Sequence, residues 1–214
     1  MRAIRFALLL AAIVTVPFVA VAKPQLASKV LGRSAKIYSI RKSYTTLSFT
    51  ATKWMVFKEE GLFQDFSGTF TYSASDPAAC KIDVTVQAAS LDTRNAGRDK
   101  VLRSDDFFDV EKFPTLSFHS THISTAGNGS YDVTGDLTIH GVAKQITVAV
   151  KTIGVRTVPH VGELAGFETT FSIDRRDFGV LGSRWSGNTM AIDPSIVIHL
   201  IIGGAPPDTK GGGF

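Results

Sequence analysis

The sequence of 214 residues contains one cysteine, Cys80, so no intrachain disulfide braces it. A lone thiol beside Lys81 at the start of a strand reads as a small core residue rather than a nucleophile. Clustered lysine and arginine are also missing, which excludes the basic footprint of a nucleic-acid-binding protein. There is no G-x-S-x-G elbow or comparable nucleophile motif. The five histidines do not converge: His140, His160 and His199 are isolated, and His119 and His122, three apart in a strand, are expected on opposite faces. No metal site follows from them. Asp105, Asp106 and Asp109 stand beside Arg98, Arg103 and Lys112, a pattern that predicts ion pairing rather than acid–base chemistry. Asp174 to Asp177, around Arg175 and Arg176, reads as a solvated strand end or a rim. The sequence therefore offers no catalytic set and calls for no cofactor.

Long apolar runs are equally scarce. The one example, Phe6 to Val21, is interrupted at Thr15 and Pro17 and is shorter than the roughly 20 residues that span a bilayer. It follows Arg2 and Arg5 and ends in Ala20-Val21-Ala22, the order of a secretory signal peptide cleaved after Ala22. Removing those 22 residues from 214 leaves 192, enough for one domain, and lowers the net charge from +4 to +2. Residues 23–36 read as a flexible lead-in, 37–203 as the folded domain, and 204–214, with Gly211-Gly212-Gly213, as a disordered tail.

What fills the domain is alternation of period two. Leu47, Phe49 and Ala51 share a face, as do Phe66, Gly68, Phe70 and Tyr72, and then Ile82, Val84 and Val86. A fourth strand starts at Leu116 and Phe118 and ends near Ile123. Asn128-Gly129 and His140-Gly141 are turns around Tyr131, Val133, Leu137 and Ile139. Ile146, Val148 and Val150 follow, then Phe167, Phe171 and Ile173, and finally Ile196 to Ile202, apolar throughout except at His199. Eight strands with one apolar face each predict either a sandwich or a closed antiparallel barrel, whose interior is filled or holds one small ligand. Gly68, Gly135 and Ala51 on inward faces leave missing volume that either draws neighbours in or leaves a cavity. The rhythm breaks once, at Asp92–Phe118, a charged helix-like stretch between the third and fourth strands. It is expected to close one end of the barrel, with Phe107 and Phe108 wedged onto the core and with Arg98, Asp99, Arg103 and Asp106 neutralising one another.

Several blocks resemble one family. They are Phe66-Ser67-Gly68-Thr69-Phe70, Ser90-Leu91-Asp92-Thr93, Arg98-Asp99-Lys100-Val101-Leu102-Arg103-Ser104, Asp106-Phe107-Phe108, Phe113-Pro114 and Phe118-His119-Ser120-Thr121. Val133 to Lys144, Gly166-Phe167 and Arg176-Asp177-Phe178-Gly179 complete the set. In this order, over about residues 38–202, they are similar to the YceI-like, polyisoprenoid-binding proteins. The resemblance implies an all-β, eight-stranded, lipocalin-like barrel holding a long isoprenoid chain, such as a polyisoprenoid or a quinone tail. It further implies export to the periplasm and a family in which homodimers occur. One position departs: Lys53 stands where family members often carry a histidine, and it would instead meet an anionic head such as that of a fatty acid, or snorkel to solvent. The expected cavity lining is Leu47, Phe49, Phe66, Phe70, Val84, Val86, Phe118, Val133, Leu137, Val148, Phe167, Phe171, Ile196 and Ile198, with Lys53, Trp54 and Phe57 at the mouth. The reading is an exported carrier of a long apolar molecule. The rivals are an envelope or stress interaction protein with a packed barrel, and an enzyme using Arg175, Arg176, Asp177 and Arg184 at the rim.

Overall fold

A computed structural model describes residues 35–182 and 192–209. The signal peptide, nearly all of the lead-in, Arg184 and the glycine tail lie outside the described residues.

The alternating segments form one antiparallel sheet. In chain order its strands are β1 (Lys36–Ile40), β2 (Thr46–Lys53), β3 (Phe57–Phe63), β4 (Phe66–Tyr72), β5 (Lys81–Gln87), β6 (Leu91–Asp92), β7 (Thr115–Gly127), β8 (Ser130–Ile139), β9 (Val142–Val158), β10 (Gly162–Asp174) and β11 (Ile192–Ala205), with helix α1 (Ala96–Arg103) between β6 and β7. Eight strands close a ring in the order β1-β4-β5-β7-β8-β9-β10-β11, and β1 pairs again with β11 at Ser39–Ala205 and Ile40–Gly204. This is the closed barrel with one helix that the periodicity and the resemblance predicted. The same edge of β11 that meets β1 at its end meets β2 along Ile192–Ile201, and β2 carries β3 and the short β6 as a flap that extends the sheet.

Three strands, β1, β3 and β6, escaped the pattern, and β7 was placed with its end too early. β1 begins at Lys36, inside the expected lead-in, and Tyr38 is among the most buried side chains. β3 (FKEEGLF) has no clean alternation, because Lys58, Glu59 and Glu60 run together and its one buried residue is Gly61. β7 runs on to Gly127 rather than stopping near Ile123. At the other terminus Gly204 and Ala205 are buried strand residues, and Arg41 donates to the carbonyls of Pro206 (3.4 Å) and Thr209 (3.0 Å), so the tail begins later than expected.

The turns obey their chemistry. Asn128-Gly129 and His140-Gly141 have positive φ at both centres (51° and 74°, 52° and 73°), the twist-matched hairpin turn. Asn95 caps α1 by accepting from the Arg98 backbone N–H at 3.0 Å. A bulge in β7 between Ser120 and His122 brings Phe118 and Ile123 to the same inner side. It leaves His119 and His122 both exposed, which corrects their expected placement on opposite faces.

Gly68 and Gly135 do not leave room. A Cβ on Gly68 would sit 2.2 Å from the Asp83 carbonyl oxygen; one on Gly135 would sit 2.5 Å from the His119 oxygen and 2.6 Å from Phe118 Cζ. Here the missing volume drew neighbours in. Apolar clusters pack around the interior instead of across it. One joins Phe107, Leu137, Ile139, Phe178 and Val180 near α1, another Cys80, Ile123, Tyr131, Val133 and Val148 at the β7–β8 hairpin end.

Candidate functional site: an apolar barrel cavity

The barrel encloses a cavity of about 1070 Å³. That is at the upper end of ordinary ligand sites. Every strand of the ring except β1 contributes, as do β2 and β3. Leu47, Phe49 and Ala51 come from β2, Phe70 and Tyr72 from β4, and Ile82, Val84 and Val86 from β5. Leu116, Phe118 and Ile123 face in from β7; Val133 and Leu137 from β8; Ile146, Val148 and Val150 from β9; Phe167, Phe171 and Ile173 from β10; Ile196, Ile198, Leu200 and Ile202 from β11. The expected lining residues all lie in this wall except Phe66. That side chain is buried in a solid cluster with Leu47, Val84 and Val86.

α1 and the turn after it line one end of the cavity, through contacts other than those the sequence suggested. Phe107 is 4% exposed and faces the cavity with Phe108, Val101 and Leu102; Phe108 meets Phe63 edge-on at 6.0 Å. Arg98, Asp99 and Arg103 do not pair with one another. Arg98 forms an ion pair with Glu59 of β3 and donates to Thr93 through Nε (2.7 Å) and Nη2 (2.7 Å). Asp99, buried, accepts from the Thr93 N–H at 2.9 Å and its hydroxyl at 2.5 Å. Arg103 turns back to the carbonyls of Ala89 (2.8 Å) and Leu91. These bonds tie α1 to β6 and the flap. Sequence reasoning missed them because the partners lie on strands it had not placed.

Further polar groups edge the interior. Arg175 was expected in a solvated rim. It is half-buried and donates to the carbonyls of Val180 (2.7 Å), Leu181 (2.6 Å), Ile192 (3.2 Å) and Asp193 (3.4 Å). Burial lowers its pKa from the usual guanidinium value, and its donors are spent on structure. Arg176 does remain at the surface, in a bidentate pair with Asp174, whose carboxyl it holds below the usual range. Within the cavity, the Tyr72 and Tyr131 hydroxyls are 3.2 Å apart, and burial raises the pKa of Tyr131. Cys80 is buried beside them, its thiol also raised by burial and its sulfur in contact with the Ser73 N–H and carbonyl. Both tyrosines stand in the alternation that picked their neighbours. Only their hydroxyls set them apart.

Among the described residues no group of three or more histidines, cysteines and carboxylates could hold a metal, and no helix is long and apolar enough to cross a membrane. At the β2–β3 hairpin Lys53 and Trp54 reach the cavity, with the Lys53 ammonium 4.2 Å above the Trp54 ring. Phe57, expected at the mouth, is 58% exposed and outside the cavity wall.

Comparison with known proteins places this architecture. A family model described as the YceI-like domain matches residues 38–202. A UPF0312 protein of Ectopseudomonas mendocina is 45% identical over 120 residues, 56% of this chain and 63% of the relative. One from Pseudomonas putida is 42% identical over 136 residues, 64% of this chain and 71% of the relative. Among solved structures, Burkholderia cenocepacia BcnA superposes with a TM-score of 0.71 at 25% identity, over 78% of this chain and 99% of that one. A Campylobacter jejuni YceI protein gives 0.61 at 30% identity, over 68% and 84%. A domain of Saccharophagus degradans, described as polyisoprenoid-binding, shares the fold with a TM-score of 0.61 at 16% identity, over 79% and 98%.

Proposed function

The chain belongs to the YceI-like family, and on that premise we propose that it is an exported carrier that sequesters one long apolar chain in its barrel. The observation that carries this reading is the cavity of about 1070 Å³, walled mostly by aliphatic and aromatic side chains. Each buried methylene favours binding by about 0.8 kcal/mol before ordering costs. Large ligands retain about 0.3 kcal/mol per heavy atom. A chain of about 30 carbons would on that scale bind near −9 kcal/mol, a submicromolar Kd, without any catalytic group. The reading is supported by the polyisoprenoid-binding description of the S. degradans domain and by the signal-like N-terminus. A polyisoprenoid, a quinone tail or a fatty-acid-like lipid fits this chemistry, and the periplasm is the compartment the N-terminus points to. A homodimer stays part of the proposal by family resemblance. A packed barrel acting only through its surface is disfavoured by the hollow interior.

Titration with a long isoprenoid alcohol and with palmitate, followed by tryptophan fluorescence, tests the proposal. Saturable one-to-one binding of either is expected. No uptake of either by delipidated, folded protein would refute it.

A further inference from the structure

The β2–β3 hairpin ends in four consecutive apolar residues that face solvent. Trp54 is 53% exposed, Met55 74%, Val56 74% and Phe57 58%. The turn is tight, with the Val56 N–H donating to the Lys53 carbonyl at 3.1 Å, and its two central residues have positive φ, 50° at Trp54 and 59° at Met55. The other two such hairpins of this barrel put glycine second, at Gly129 and Gly141. Bulky residues are disfavoured in this backbone region, so the tip keeps large apolar side chains where the backbone asks for asparagine or glycine. Strain of that kind points to use of the side chains rather than to folding.

The charges around the tip have a sign. Glu59 is paired with Arg98, and Glu60 stands 3.8 Å from Arg94. Lys53 and Lys58 flank the apolar tip, and among the described residues neither has a carboxylate within ion-pair reach; Lys53 instead lies over the Trp54 ring. An apolar wedge ringed by unpaired ammonium groups, with a tryptophan at its base, is the composition of an interfacial anchor. Lys53 and Trp54 also line the cavity, so the anchor continues into the binding chamber.

We propose that the Trp54–Phe57 hairpin docks the barrel on an anionic lipid bilayer, seating the cavity mouth at the headgroup level. Met55, Val56 and Phe57 lie outside the cavity wall that Lys53 and Trp54 belong to, and docking requires only that this tip enter the interface.

The test uses the full-length chain with Trp185→Phe, so that Trp54 is the single tryptophan. Vesicles of phosphatidylcholine alone or with 30 mol% phosphatidylglycerol carry bromine-labelled acyl chains. Docking predicts a blue shift and quenching of Trp54, an affinity about 30-fold higher for the anionic vesicles from two lysines, and reversal by salt. Met55→Asp with Val56→Asp, both outside the cavity wall, should weaken binding at least about 100-fold. The same variant should take up palmitate as before, which separates failure of docking from failure of carriage. Unquenched Trp54 on both vesicle types, or a double variant that binds like wild type, overturns the proposal. A concentration-dependent dimer abolished by the double substitution, without vesicle binding, also overturns it and assigns the tip to a second copy of the chain.

Discussion

Asp99 offers the sharpest test of how the barrel end is held. It is 6% exposed on the first turn of α1, and one carboxylate oxygen receives both the Thr93 N–H (2.9 Å) and the Thr93 hydroxyl (2.5 Å). The Thr93 oxygen in turn accepts from Arg98 Nε at 2.7 Å, and Arg98 reaches Glu59 on the flap. Removing the carboxylate leaves two buried donors without their acceptor. Hydrogen bonds to a charged group contribute about 1.5–3 kcal/mol each. Some of that returns because the buried charge no longer has to be desolvated. Asp99→Ala should therefore cost about 3–4 kcal/mol, a large share of the 5–15 kcal/mol typical of a domain. Asp99→Asn keeps an acceptor oxygen but loses charge assistance, and should cost about 1–2 kcal/mol. Urea unfolding followed by circular dichroism measures both. Uptake of an apolar ligand per folded molecule should not change, since Asp99 is not in the cavity wall. An Asp99→Ala unfolding free energy within about 0.5 kcal/mol of wild type would refute the buttress.

Other outcomes follow from the same geometry. Ala51→Trp, at a small position in the cavity wall, displaces the volume of about five ligand methylenes and should weaken long-chain binding by about 4 kcal/mol, roughly 1000-fold, with little loss of thermal stability. Arg103→Ala frees the Ala89 and Leu91 carbonyls and should lower stability by about 2–3 kcal/mol, read from the urea midpoint, with ligand affinity unchanged. Because burial raises the folded-state pKa of Tyr131, the unfolded chain loses that proton first; stability should fall as pH rises above about 10, and Tyr131→Phe should reduce the slope in alkaline unfolding curves.

The barrel was readable where one rule governed a strand. β8 alternates buried and outward residues from Tyr131 to Ile139 because one face meets the interior and the other meets water. The same rule found the wall, and Phe66 left it only because neighbouring Leu47, Val84 and Val86 close over it. β3 was not readable because its charged residues serve the flap, and Glu59 makes sense only beside Arg98. The ion pairs of Asp92–Phe118 were misassigned for the same reason, since sequence proximity does not rank a partner on another strand. His119 and His122 were misplaced by a single bulge, which no alternation rule anticipates.

A long apolar chain in the cavity is best sought by native mass spectrometry of the protein purified from its own host, followed by solvent extraction. A bound lipid of defined mass is expected at close to one per barrel, and none in Ala51→Trp. Protein that emerges ligand-free and stays empty after exposure to isoprenoids and fatty acids would contradict it.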